Sequence, residues 1–329
     1  MTWRVLATAR GFDATPEAAA LLERAGCEVV ATPYGGSRFD YELGGDELVA
    51  LREGIDAYIA GSAALTRDVI ERASALKLIS RRGVGYERID LEAARDRNVL
   101  VTVTTGANQH AVADHVFGLL LAVARRLVDA HRAVTEGRWE SFIGPELRGK
   151  TLGIIGLGRV GKGVARRAQG FAMRVIATDP VTDDAFARAH DVAYVPLDEL
   201  LAAADVVSIN ASLNATTRGL LDRRALSRLK DGAIVINTAR GGIVDEGALA
   251  DALRGGKLGG AGIDVFEREP PAGSALIGLP NVVLTPHVAA YTDEAMAAAN
   301  LLAAQIVVDL MRGRLPDPDC IVAGPGASS

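Results

Sequence analysis

The stretch Thr151–Pro180, TLGIIGLGRVGKGVARRAQGFAMRVIATDP, restricts the fold more than any other part of the chain. An apolar run, TLGII, passes directly into Gly156-x-Gly158-x-x-Gly161, then into a helical pattern, then into a second apolar run ending at Asp179. This is the order of a dinucleotide-binding βαβ unit. Gly156 permits the tight turn, Gly158 lets backbone approach a pyrophosphate, and Gly161 lets the helix pack closely, with the helix N-terminus facing the anion. In a chain with 36 glycines the three alone would be weak evidence. The acid at the end of the second strand, about twenty residues on, strengthens the reading, because Asp179 can accept the ribose hydroxyls. The same carboxylate would repel a 2′-phosphate, and Pro180, Val181 and Thr182 bring no arginine to offset it, so NAD is favoured over NADP.

The unit begins midway along 329 residues, enough for two domains. The first hundred residues already alternate strands and helices: WRVLAT, EVVAT, DAYIAG, LKLISR and NVLVTV are strand candidates, with helical PEAAALLERAG, TRDVIERASA and DLEAARDR between them. That rhythm predicts a parallel sheet covered by helices. It is broken by TTGANQHAVADHVFGLLLAVARRLVDAHRAVTEGRW, expected to be mostly one long helix. After TLGII come RVIAT, VAYV, DVVSIN, GAIVINT, GAGID and NVVLT, and then a final helix, DEAMAAANLLAAQIVVDLMRG, stopped by Gly313 and Pro316.

Composition narrows the functional classes. A net charge of −5 argues against general nucleic-acid binding, which rewards clustered Lys and Arg. Two cysteines, Cys27 and Cys320, without CxxC spacing suggest neither a disulfide framework nor a metal site, and fit a reducing cytoplasm. No basic segment followed by an apolar run marks a secretion signal at the start, and Arg125 and Arg126 interrupt HVFGLLLAVARRLV too early for a membrane span. Neither a membrane nor a nucleic acid is therefore expected as partner, and AGPGASS is expected to be a frayed tail.

Three later stretches add reactive side chains: NTARGGIVDEGAL carries Arg240, DVFEREPP carries Glu269 and TPHVAAYT carries His287. A histidine can take a hydroxyl proton and return it, a paired carboxylate can orient it, and an arginine can fork onto a substrate carboxylate. Singly, each has a plainer explanation: the arginine could pair with an acid, Glu269 could cap the turn before Pro270 and Pro271, and His287 could be a solvated or satisfied histidine. In order with the glycine loop and RRGVGYERID, they resemble the D-isomer-specific 2-hydroxyacid dehydrogenase family over nearly the whole chain, with SRRGVGYERIDLEAARDRNVLVTVTTGANQHAVADH most like the phosphoglycerate dehydrogenase branch.

The resemblance implies a Rossmann NAD-binding domain, residues 104–288, inserted into a smaller flavodoxin-like parallel α/β substrate domain made of 1–103 and 289–329. It implies His287 as acid/base, Glu269 as its partner and Arg240 as substrate anchor. Backbone amides of Val84 and Gly85 would add carboxylate donors, with Arg81 and Ser62 nearby in the substrate site. Cofactor contacts are implied at Gly156, Gly158, Arg159, Val160, Gly161, Asp179, Ala211, Ser212, Thr217, Thr238, Ala239, Asp264 and Ala289. For Asp264 a structural capping or ion-pair role competes. His110, His115, His131 and His190 lack matching contexts and read as structural or solvated. The long helix is implied to contribute to a homodimer interface.

Two departures bear on specificity. Where relatives commonly carry His-Val-Pro, this chain has Asn210, Ala211 and Ser212; where phosphoglycerate enzymes carry an Arg before a Ser, it has Gly61 and Ser62. Arg81 or Arg82 could restore the lost charge. The expected function is an NAD-dependent D-2-hydroxyacid dehydrogenase acting on a small 2-hydroxy or 2-keto acid, with phosphoglycerate-like specificity as the leading reading and a hydroxypyruvate or glyoxylate reductase as the alternative among enzymes. The chain is also expected to lack an appended regulatory domain. A dinucleotide-sensing corepressor-like binding protein is the alternative of a different class.

Overall fold

The structure is a computed structural model and describes residues 2–9, 11–30, 42–51 and 53–324. Of the tail, 325–329 lie outside the described residues, as do 31 and 32 of the second strand candidate. The chain forms two units, Met1–Asn108 with Thr292–Ser329, and Gln109–Tyr291.

The first unit opens with β1 (Arg4–Ala7), α1 (Pro16–Arg24), β2 (Glu28–Val30), α2 (Gly45–Leu51), β3 (Ala57–Ala60), α3 (Arg67–Glu71), β4 (Leu78–Arg81), α4 (Leu91–Asp96) and β5 (Leu100–Val103). β3 and β5 are buried along their whole length, as their unbroken apolar runs require of a parallel sheet covered on both faces. α2 falls in a segment to which the sequence patterns assigned no element.

The second unit begins with α5 (Gln109–Ala124) and α6 (Leu127–Thr135). The expected single helix is therefore broken. Arg126 takes a left-handed φ of 51°, held there by two bonds of its guanidinium to Asp129 Oδ2, 2.9 and 3.0 Å, with its plane over the Phe142 ring. There follow β6 (Thr151–Ile155), α7 (Arg159–Gly170), β7 (Arg174–Thr178), α8 (Asp184–Ala189), β8 (Val192–Tyr194), α9 (Leu197–Ala203), β9 (Val206–Ile209), α10 (Arg223–Arg228), β10 (Ala233–Asn237), α11 (Glu246–Arg254), β11 (Leu258–Ile263) and β12 (Val282–Leu284). Their sheet runs β12-β11-β10-β9-β6-β7-β8, all parallel. The order reverses between β6 and β9, the doubly wound arrangement whose switch point receives ligands. Asp183, Asp222 and Asp245 start α8, α10 and α11 by accepting the amide three residues on.

The chain then returns to the first unit as α12 (Asp293–Met311) and β13 (Ile321–Ala323). The first sheet reads β13-β5-β4-β3-β1-β2. Its parallel part has the flavodoxin-like order. β13 pairs antiparallel with β5, an edge strand too short for sequence periodicity to reveal. Among the described residues α12 alone is long and apolar enough to cross a membrane by length and composition. Its Ala303, Ala304, Ile306 and Val307 are buried in one core with Val5, Leu22 and Leu100.

Candidate active site

At the β6–α7 turn the three glycines are distinguished by what a side chain would meet. A Cβ on Gly156, whose φ is +91°, would lie 2.7 Å from the Ala211 amide nitrogen. One on Gly161 would lie 2.2 Å from the Gly156 carbonyl oxygen, so absence of a side chain is what seats the helix against the loop. One on Gly158 would meet nothing within 4 Å. A loop whose outer glycines are forced by packing while its middle glycine faces open space has the form of a phosphate cradle. Arg159 and Val160 form the first turn of α7 behind it.

Asp179 sits beside this loop. Its Oδ2 accepts the Leu157 amide at 2.7 Å and its Oδ1 the Val181 amide at 2.9 Å. The carboxylate thus fixes the glycine turn while retaining lone pairs for a diol. On the other side of the switch point, Asn210 folds its amide nitrogen back onto Ser208, leaving its buried Oδ1 without a protein partner. Thr217 donates to the Ser212 carbonyl at 2.6 Å and ties the following turn. At the end of β10 the buried Thr238 hydroxyl also lacks a protein partner, and the Ala239 amide donates to Asn237. Orphaned polar atoms along the strand ends, beside an open glycine cradle, fit a dinucleotide.

Arg240, Glu269 and His287 come together in this same unit. His287 Nδ1 and Glu269 Oε2 are 2.8 Å apart, while Glu269 Oε1 accepts the Phe266 amide at 3.1 Å. With Nδ1 engaged, His287 Nε2 has no partner among the described residues and is left for proton exchange. Burial pushes the Glu269 carboxyl up, but the His287 bond, the charges of protonated His287 and Arg240, and the Phe266 amide outweigh it. The group is held below the ordinary carboxylate value. Arg240 enters from the loop after β10, its carbonyl accepting from Asn237 at 2.9 Å. The next residue is glycine because the chain presses on a neighbour there: a Cβ on Gly241 would overlap the Phe266–Glu267 peptide.

His287 has a φ of +54°, uncommon for a residue with a side chain. Its amide donates to the Asp264 carbonyl at 2.8 Å and the Thr285 carbonyl at 3.1 Å. The fully buried Asp264 carboxylate accepts from the Thr285 hydroxyl at 2.6 Å and from the amides of Val288 at 2.9 Å and Ala289 at 3.0 Å. Burial would raise this carboxyl; contact with His115 and the bonds from Thr285, Val288 and Ala289 bring it below its ordinary value. Sequence reading treated His115 as structural or solvated and missed that its Nε2 lies 3.0 Å from Thr285 Oγ1.

In the first unit, Arg81 ends β4 and the turn after it carries Arg82, Val84 and Gly85. The Gly83 amide donates to Thr104 Oγ1 at 2.7 Å and its carbonyl accepts from the Thr104 amide at 3.0 Å. Among the described residues the Val84 and Gly85 amides have no acceptor, so two successive N–H groups remain for an anion. Arg81 donates to the Arg82 carbonyl, Arg82 lies against Met296 of α12, and Ser62 follows β3.

Residues 117–289 match the family described as "D-isomer specific 2-hydroxyacid dehydrogenase, NAD binding domain". The chain is 44% identical over 249 residues to a D-3-phosphoglycerate dehydrogenase of Archaeoglobus fulgidus, covering 75% of this chain and 47% of that one. It is 42% identical over 256 residues to a hydroxypyruvate reductase of Thermotoga maritima, covering 76% and 83%. A crystal structure of a Thermus thermophilus protein superimposes with a TM-score of 0.83 at 36% identity, over 97% of this chain and 100% of that one. The chain spans about half the length of the phosphoglycerate dehydrogenases it matches.

Proposed function

The chain belongs to the D-isomer specific 2-hydroxyacid dehydrogenase family, and from that premise we propose that it is an NAD-dependent dehydrogenase interconverting a small 2-hydroxy acid and its 2-keto acid. The observation that carries the proposal is the 2.8 Å pairing of His287 with Glu269 beside Arg240. When bound, NAD(H) supplies the hydride acceptor or donor. Gly156, Gly158, Gly161, Arg159 and Val160 would hold its phosphates, and Asp179 would take the ribose hydroxyls. Ala211, Ser212, Thr217, Thr238 and Ala239 would line the remainder of its path, whereas Asp264 and Ala289, expected there from the sequence, are buried and bonded to each other in the turn that carries His287.

The protein's own part in the reaction is proton and charge control. His287 Nε2 takes the proton from the 2-hydroxyl in oxidation and returns it to the carbonyl oxygen in reduction. Glu269, ionised because its pKa is depressed, orients the imidazole through Nδ1. Arg240 grips the substrate carboxylate and offsets negative charge on the reacting oxygen. Val84, Gly85, Ser62 and Arg81 serve substrate selection. The relatives divide between a phosphorylated and an unphosphorylated substrate. Gly61 in place of an arginine favours the unphosphorylated class, unless Arg81 or Arg82 supplies the charge.

A second copy of the chain is the proposed partner, a homodimer. α6 and the segment after it expose Leu127, Val128 and Val134, with Trp139 95% and Ile143 91% exposed, and a run of exposed large apolar side chains is what a protein interface would cover.

The test is NADH oxidation by purified protein with hydroxypyruvate, glyoxylate, pyruvate, 3-phosphohydroxypyruvate and bulkier 2-keto acids. Turnover that disappears in His287→Ala while NADH still binds supports the reading. No turnover with any of them refutes it, and cofactor-dependent capture of a protein partner would then favour the binding-protein alternative.

A further inference from the structure

We propose that His115, on α5, is a positioning residue that holds the turn presenting His287. It rests on the reading of His287 as the acid/base. The register of α5 over β11 brings it there. A Cβ on Gly260 would lie 2.4 Å from Val123 Cγ1, and one on Gly262 would lie 2.8 Å from Leu119 Cβ. Alternate residues of the strand therefore meet residues one helical turn apart, 260 against 123 and 262 against 119. The next step pairs Asp264 with His115, whose Nε2 lies 3.5 Å from Asp264 Oδ1. Two glycines let the helix lie close enough for an imidazole to reach the strand end.

The hydrogen-bond directions fix the role. The Thr285 hydroxyl has one proton, and at 2.6 Å from the Asp264 carboxylate it donates there. Its oxygen must then accept from His115, so His115 carries a proton on Nε2, 3.0 Å away. His115 thereby orients the Thr285 hydroxyl onto Asp264, and Asp264 collects the Val288 and Ala289 amides while its carbonyl takes the His287 amide. These bonds sustain the left-handed backbone at His287, a conformation that persists only where its surroundings over-determine it. Without the Nε2 donor, the Thr285 oxygen and the Asp264 carboxylate both lose the imidazole beside them, and the turn loses one of its fastenings.

Glutamine offers an N–H donor at about the reach of histidine Nε2, and leucine offers none. Amide exchange and turnover are measured on both variants of the full chain. In His115→Leu, exchange at His287, Val288 and Ala289 is expected to rise about tenfold through local opening. kcat is expected to fall about ten- to a hundredfold, as for a displacement of about 1 Å at a reacting group, with NADH affinity within about twofold of wild type. His115→Gln should restore both. Unchanged exchange in His115→Leu, or equal impairment in His115→Gln, overturns the proposal. If wild-type protein turns over no 2-keto acid, the functional reading fails by itself, and exchange still decides the positioning role. Should His115→Leu not fold, Thr285→Val, with Thr285→Ser as the restoring variant, decides by the same two measurements.

Discussion

The middle and last glycines of the β6–α7 loop should respond in opposite ways to the addition of one methyl group. Gly158 has φ −73°, open to any residue, and a Cβ there meets no protein atom within 4 Å. Gly158→Ala removes freedom from the unfolded chain, a gain of about 0.4–1 kcal/mol. For a unit of this size that raises Tm by about 1–4 °C. The methyl would occupy the space assigned to the pyrophosphate. Loss of one charge-assisted hydrogen bond costs about 1.5–3 kcal/mol, so the Kd for NADH should rise about ten- to a hundredfold.

Gly161→Ala faces the reverse situation. Its Cβ would stand 2.2 Å from the Gly156 oxygen and 3.2 Å from Ile154 Cγ2. Relieving the first contact needs a shift of about 1 Å between helix and loop, an overpacking cost of about 1–3 kcal/mol. Tm should fall by about 2–12 °C. Scanning fluorimetry and NADH fluorescence titration read the two quantities separately. Wild-type NADH affinity in Gly158→Ala would refute the assignment of that space to the cofactor, and a wild-type Tm in Gly161→Ala would refute the packing argument.

Glu269→Gln keeps the shape but replaces the carboxylate that holds His287 Nδ1, so kcat should fall about tenfold or more with NADH affinity unchanged; an unchanged kcat refutes the pairing. Because Glu269 and Asp264 have depressed pKa values when folded, their contribution to stability is present above the ordinary carboxylate value of about 4 and is lost as pH falls through the folded values. Urea midpoints measured from pH 7 to pH 3 should therefore fall less steeply in Glu269→Gln than in wild type. Asp179→Ser should narrow the preference for NADH over NADPH by about tenfold or more, although loss of the Leu157 and Val181 bonds will also lower Tm. Trp139→Glu with Ile143→Glu should shift sedimentation from dimer to monomer, and an unchanged species places the partner surface elsewhere. Arg81→Ala should reduce kcat/KM for 3-phosphohydroxypyruvate about tenfold more than for hydroxypyruvate if Arg81 binds phosphate; equal effects refute that role.

The doubly wound sheet was legible because its evidence is local. Each strand of Gln109–Tyr291 is an apolar run bounded by polar or glycine turns, and the three glycines lie within six positions of one another. Features that depend on what approaches from elsewhere were not. The end of α5 depends on Arg126, fixed by Asp129 and covered by Phe142, and nothing in HVFGLLLAVARRLV reports those neighbours. β13 exists because β5 offers it an edge, and three residues carry no period of their own.

The same distinction explains why His287 could be picked out and His115 could not. His287, Glu269 and Arg240 lie in stretches that resemble a family, whereas His115 sits in an apolar helix where a histidine is ordinarily a packed or solvated residue. Its significance comes from G-x-G-x-D on β11 meeting H-x3-L-x3-V on α5, two patterns of period two and period near four that coincide only when helix and strand run in opposite directions in close contact. Glycines in a strand weaken it, and they are tolerated where another element must come near. Gly260 and Gly262 are thus as much a part of the candidate site as the aspartate that follows them, because they set the distance at which an imidazole on α5 can reach Thr285 and Asp264.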